Sequence, residues 1–168
     1  RDPSSGIKDL WLFDGRGPQG TRLTLDGAER PLWSRNGRQV YFSALGGGSP
    51  RVVTIGTTTQ APFPLSGPAS HFEDVTRDGR YLILKTIADP SEVWIQRTDD
   101  ATEHRTLVKE NAAATSPRVS PDGRWLAFTL MLPTGPTVFV QPFDRPGTRV
   151  QVSPNGGFNP FWRHDSRE

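Results

Sequence analysis

Val119-Ser120-Pro121-Asp122-Gly123-Arg124-Trp125-Leu126-Ala127-Phe128 sets a tight polar turn between two runs of β-forming residues. Proline and aspartate open such a turn, and the glycine supplies the positive φ that closes it. Related stretches stand at Arg30–Arg38, Phe72–Arg80 and Asn159–Arg167. Counting between Trp33, Val75, Val119 and Trp162 gives steps of 42, 44 and 43 residues. A period near forty, with strands on both sides of each turn, predicts propeller blades rather than short solenoid coils or heptads.

Each repeat divides into four short strands by alternation and turn chemistry. In the most regular unit these are 116–120, 125–129, 137–141 and 149–152. The first complete unit reads as Trp33, 40–43, 52–55 and 63–65, and the second as Val75, 81–85, 93–97 and 105–108. Leu10–Asp14 and Arg22–Leu25 match only a third and fourth strand, while Phe158–Trp162 matches only a first. The expectation is an all-β chain, a single propeller domain over 1–168 with blades at 28–66, 70–109 and 114–153 and part-blades at 9–25 and 157–168. Trp33, Phe42, Trp94, Phe128, Phe139 and Trp162 are expected in the core between sheets. Because the repeat stops mid-unit and the chain opens on Arg1, it reads as a piece of a longer protein, its ring completed to six to eight blades by the missing sequence. A closed four-bladed ring made by joining the two part-blades is the other possibility.

Composition fits this reading. Seventeen Gly and 16 Pro supply the turns, and the third of residues that are apolar fall in short clusters. No run reaches the roughly 20 apolar residues of a membrane-spanning helix, so this segment is not expected to insert in a membrane. The absence of cysteine removes disulfides and thiolate metal sites. Net charge is +2, carried by 17 Arg against three Lys scattered along the turns, a solvated surface rather than a nucleic-acid patch.

Gly15-Arg16-Gly17-Pro18-Gln19-Gly20 has nucleotide-fingerprint spacing, but a strand follows where a helix N-terminus is needed, so it reads as a turn loop. Gly46-Gly47-Gly48-Ser49-Pro50 lacks a Gly-Lys-Ser/Thr ending, and no Gly-x-Ser-x-Gly occurs. His71, His104 and His164 are isolated, and neither a metal nor a cofactor is expected. Asp78, Asp122 and their counterparts Asn36 and Asp165 read as turn hydrogen-bond acceptors rather than calcium ligands. One departure is informative: where other first strands carry Pro31, Pro117 and Pro160, the second carries Glu73 beside Asp74. First strands line a propeller's channel, and alternation puts His71 and Glu73 on one side. Arg30, His71, Glu73, Asp74, Arg118 and Asn159 are therefore the expected polar channel mouth, with carboxylates paired to arginines.

The stretches Trp33–Arg38 and Val119–Phe128 resemble the WD-like repeat of TolB-type propellers. Asp9–Asp14 with Thr21–Thr24, and Val138–Phe143 with Val150–Ser153 and Gly156-Gly157, look like the C-terminal propeller of bacterial serine/threonine protein kinases. That resemblance implies a non-catalytic module that binds a protein or peptide partner alongside the remaining blades or domains of its parent chain. It also implies a periplasmic or extracytoplasmic location. Two enzyme readings stand as alternatives: the gating propeller of a prolyl-oligopeptidase-type hydrolase, and a propeller-fold sugar lyase with a metal site.

Overall fold

The computed structural model describes residues 7–46, 48–57, 59–145 and 147–165, and among these every regular element is a β-strand. The end of the fourth turn stretch, 166–168, and the middle of the Gly46–Gly48 loop lie outside them. A two-stranded antiparallel sheet, β1 (Trp11–Phe13) and β2 (Gly20–Arg22), comes first. Three four-stranded antiparallel sheets follow. The first contains β3 (Ala28–Trp33), β4 (Gln39–Ala44), β5 (Pro50–Thr54) and β6 (Gln60–Pro62). The second contains β7 (Ser70–Val75), β8 (Tyr81–Thr86), β9 (Val93–Arg97) and β10 (His104–Val108). The third contains β11 (Ala114–Val119), β12 (Trp125–Leu132), β13 (Gly135–Pro142) and β14 (Val150–Gln151). Strand order follows chain order in every sheet, the meander of a propeller blade.

The turn signature forms the same hairpin three times. Ser34, Thr76 and Ser120 each accept a backbone N–H from the residue that opens the next strand, at 2.9, 3.0 and 2.9 Å. Their hydroxyls donate to Asn36, Asp78 and Asp122, whose Oδ1 also accepts the N–H two residues on. Gly37, Gly79 and Gly123 hold φ of 68°, 74° and 73°, a region that L side chains rarely adopt. The acidic residues are turn acceptors, as their chemistry predicts.

The chain divides into two compact units, 1–64 and 65–168. In the first, Leu10 and Leu23 from around the β1–β2 pair pack with Ala28, Val40, Phe42 and Val53. Asp9, almost wholly buried, ties this unit together: its carboxylate accepts from Arg22 at 2.6 Å, from the Thr24 hydroxyl at 2.9 Å and from Gly27 N–H at 3.2 Å. Burial pushes that carboxyl up, but the bonds from Arg22, Thr24 and Gly27 outweigh it and leave the pKa below the usual value. In the second unit, Ile83, Val93 and Ile95 meet Val119, Leu126, Phe128 and Leu130 between the two sheets. Burying each such side chain contributes about 1.5–3 kcal/mol before the entropy of ordering is subtracted.

Three expectations are corrected. The fourth strand of the first sheet is Gln60–Pro62 rather than 63–65, because pairing with β5 fixes its register and Pro64 has no N–H to extend the ladder. Trp33 is 47% exposed rather than core, whereas Val75 and Val119 at the same place in the other repeats are buried; Phe139 and Trp162 are partly buried, and Phe42, Trp94 and Phe128 are core as expected. Phe158–Trp162 has the expected place in the repeat but is not in a strand. Among the described residues no helix is long and apolar enough to cross a membrane.

Candidate functional site

Every innermost strand carries a β-bulge at one place in the repeat. Between Glu29 and Leu32, Phe72 and Asp74, and Thr115 and Arg118, one extra residue is inserted against β4, β8 and β12. Two residues then oppose one: Arg30-Pro31 against Phe42, Phe72-Glu73 against Leu84, and Ser116-Pro117 against Phe128. Arg30 and Ser116 sit in the left-handed region, at φ of 54° and 51°, and Asn159 before Pro160 does the same at 55°. Proline disfavours the right-handed helical conformation in the residue before it and fixes its own φ, and a bulge accommodates the turn this imposes. The second sheet has Glu73 instead, and Phe72 is not among the residues at positive φ.

The bulge resets the alternation that placed His71 and Glu73 together. His71 pairs with Lys85 and Asp74 with Ile83, two residues on one face of β8, so Asp74 shares the face of His71. Glu73 is the inserted residue, with a side chain only 10% exposed.

Glu73, Asp74 and Arg118 do converge, and they knit β7 to β11. Arg118 donates to the Glu73 carbonyl at 2.8 Å and to its own neighbour's carbonyl, Pro117, at 2.7 Å, while the Glu73 carboxylate lies 3.8 Å away. The Asp74 carboxylate accepts Val75 N–H at 2.8 Å with one oxygen and Val119 N–H at 2.9 Å with the other. The pattern continues outward from β11: Ser116 Oγ donates to Asn159 Oδ1 at 2.6 Å, and Trp162 Nε1 donates to the Arg118 carbonyl at 2.9 Å. The Arg118 guanidinium lies 5.5 Å from the ring centre of Phe161, which is 78% exposed. Arg30 occupies the equivalent bulge of the first unit and is exposed.

Much of the predicted polarity in the second unit is thus consumed in holding β7 beside β11, while the Phe161 ring stays exposed next to the Arg118 guanidinium. His104 packs edge-on to Trp94 at 6.0 Å, and His164 is exposed near the chain end. Among the described residues no group of three or more His, Cys, Asp or Glu could hold a metal ion.

A cleft of about 380 Å³ in the second unit escaped the sequence reading. It lies between the turns 76–78 and 121–123, walled by Tyr81 and Phe143 and edged by Arg77, Asp78 and Asp122. Both walls are braced. Tyr81 donates to Glu103 at 2.6 Å, and Arg97 holds Glu103 at 3.0 Å; the bonds from Tyr81 and Arg97 keep that carboxyl below its usual pKa, and Glu103 raises that of the phenol. Arg105 stacks 5.8 Å from the Phe143 ring centre and donates to its carbonyl at 3.0 Å. Asp122 falls to about 2, chiefly because Ser120 donates to it, with Arg124 adding backbone and side-chain bonds. No sequence motif marked this cleft, since Tyr81 and Phe143 are far apart in the chain.

No family model matches the chain, and no curated protein sequence does. Solved structures do. A TolB-type protein from Agrobacterium tumefaciens superimposes with a TM-score of 0.71 at 14% identity, over 89% of this chain and 57% of that one. TolB from Acinetobacter baumannii gives 0.69 at 18% identity, over 83% of this chain and 36% of that one. A chain in a nidogen/laminin complex gives 0.64 at 12% identity, over 83% and 54%. The chain therefore has the β-propeller fold. It spans little more than half the length of the first of these proteins and about a third of the second.

Proposed function

We propose that this chain is a non-catalytic propeller module that binds a protein or peptide partner, in the manner of a TolB-like protein or of the interaction tail of a bacterial serine/threonine kinase. The observation that carries the reading is the rim of the inner strands. Arg118, clamped to two carbonyls beside the Glu73 carboxylate, presents its remaining donors under the exposed ring of Phe161. A rigid arginine next to an exposed aromatic is the kind of anchor from which protein interfaces draw most of their energy. The likeness to a chain found in a nidogen/laminin complex supports protein binding as a use of this scaffold. Of the channel-mouth residues, Arg30 of the first unit is proposed as a separate contact, and His71, Glu73, Asp74, Arg118 and Asn159 of the second unit are the proposed contact surface. Within it Asp74 acts by positioning the strands.

Panning the 168-residue chain against a displayed random-peptide library tests this. Enrichment of a consensus peptide whose binding weakens tenfold or more in Arg118→Ala and Phe161→Ala supports the proposal. A consensus indifferent to both, or hydrolysis of the bound peptides, counts against it. Stoichiometric Ca²⁺ or Mn²⁺ binding abolished by His71→Ala would favour the lyase reading instead.

A further inference from the structure

We infer that the cleft between the turns 76–78 and 121–123 is a second binding site, which takes a polypeptide segment carrying a large apolar side chain next to an acidic one. It shares no residue with the inner-strand rim and does not depend on what binds there.

The repeat does not require the cleft's aromatic walls. Ser34, Thr76 and Ser120 donate their backbone N–H groups to the carbonyls of Gln39, Tyr81 and Trp125, which places those three residues at one site in the blade. Ile55, Thr98 and Phe143 likewise donate to the carbonyls of Arg38, Arg80 and Arg124 and share a second site. The first sheet folds with Gln39 at one of these places, and the second with Thr98 at the other. Hairpin geometry thus leaves both open to polar residues, and the cleft has Tyr81 on one side and Phe143 on the other. Both rings are fixed in advance. Phe143 belongs to the core between the second and third sheets, and Tyr81 packs against that core with its hydroxyl tied to Glu103 at 2.6 Å. A cleft of about 380 Å³ lies within the range of ligand sites, roughly 300–1,000 Å³, and rigid walls bind an apolar group at little ordering cost.

Charge selects the neighbouring residue. Asp78 and Asp122 are engaged in their own turns: Asp78 accepts the Thr76 hydroxyl at 2.6 Å and Arg80 N–H at 3.0 Å, and Asp122 accepts the Ser120 hydroxyl at 2.5 Å and the Arg124 guanidinium at 2.7 Å. Arg80 stands by the Tyr81 ring and Arg105 by the Phe143 ring. Among groups that line the cleft or touch its lining, Arg77, Arg80, Arg105 and Arg124 outnumber Asp78, Glu103 and Asp122 by one. Arg77 is the uncommitted one: it is exposed, and among the described residues its guanidinium has no hydrogen-bond or ion-pair partner. A carboxylate matches that fork, whereas a lysine or arginine would meet an excess of its own charge.

The test uses the isotope-labelled 168-residue chain and the peptide Gly-Ser-Phe-Glu-Ser-Gly, acetylated and amidated so that Glu carries its only carboxylate. Amide chemical shifts should move at 76–81, at 121–124 and at Phe143. Peptides with Gln or Lys in place of Glu should bind roughly fivefold more weakly, and one with Ala in place of Phe about tenfold more weakly. Arg77→Gln removes no contact within the chain, so it should leave the melting temperature unchanged while abolishing the preference for Glu over Gln. Arg118→Ala should leave this binding intact, which separates failure here from failure at the inner-strand rim. No shifts at millimolar peptide, shifts confined to the inner strands, equal binding of the Glu, Gln and Lys peptides, or a preference for Glu that survives Arg77→Gln would each overturn the inference.

Discussion

Asn36 occupies the position that Asp78 and Asp122 fill in the other hairpins, and the difference is visible in bond length. The hydroxyl donor lies 2.9 Å from Asn36 but 2.6 and 2.5 Å from the two aspartates. A charged acceptor makes the stronger bond, so Asn36→Asp should stabilise the first unit by about 0.5–1 kcal/mol, the solvent-exposed turn limiting the gain. Chemical denaturation measures it, and a loss of stability would contradict the geometry. The same chemistry gives a pH signature. Asp122 titrates at about 2 in the folded chain against an ordinary value of 3.8, so its contribution is complete above pH about 4 and lost as pH falls through 2. The stability difference between the native chain and Asp122→Asn should shrink over that window and stay constant from pH 5 to 7.

At the scale of the element, the bulge is what sequence patterning could not express. Alternation across His71, Phe72 and Glu73 is a correct rule applied across an inserted residue, and the insertion is visible only in the pairing with β8. The hairpins were legible because one short run of adjacent residues, such as Ser34 to Gln39, contains the whole turn. The outermost strand Gln60–Pro62 was not, because a neighbour's ladder selects it. Asp74 shows how much one element depends on another: both its oxygens accept backbone N–H groups, one of them from β11. Asp74→Asn turns one acceptor into a donor facing an N–H, so it should cost about 1–3 kcal/mol, and amide exchange at Val119 should accelerate. If Val119 exchanged no faster, the strand-joining role of Asp74 would be lost. Gly67 gives a steric counterpart, since a Cβ there would come within 2.5 Å of the Trp94 ring, which is 2% exposed and bonded to Ser70 at 2.7 Å. Gly67→Ala should destabilise the second unit by about 1–3 kcal/mol and shift Trp94 fluorescence.

For the whole molecule, period and turn chemistry were enough to predict a propeller, because blades repeat one local solution. The candidate site was legible only in part. Glu73, Asp74 and Arg118 come from positions that the repeat aligns, whereas Tyr81 and Phe143 meet only because two sheets stack. A propeller scaffold hosts many activities, so the fold carries the site without naming its ligand. The cores offer a calibration: Phe128→Ala, at a side chain with no exposed surface and a ring stacked on Phe139, should lower stability by about 3–5 kcal/mol in thermal or denaturant melts.

Four guanidinium groups sit 5.0–5.9 Å from the centres of aromatic rings, Arg80 by Tyr81, Arg105 by Phe143, Arg118 by Phe161 and Arg149 by Phe139. A ring face attracts a cation electrostatically, and the delocalised, weakly hydrated guanidinium suits such positions better than an ammonium. Arg80, Arg105 and the Phe161 ring are exposed, so added salt should loosen these contacts as it does other surface charge interactions.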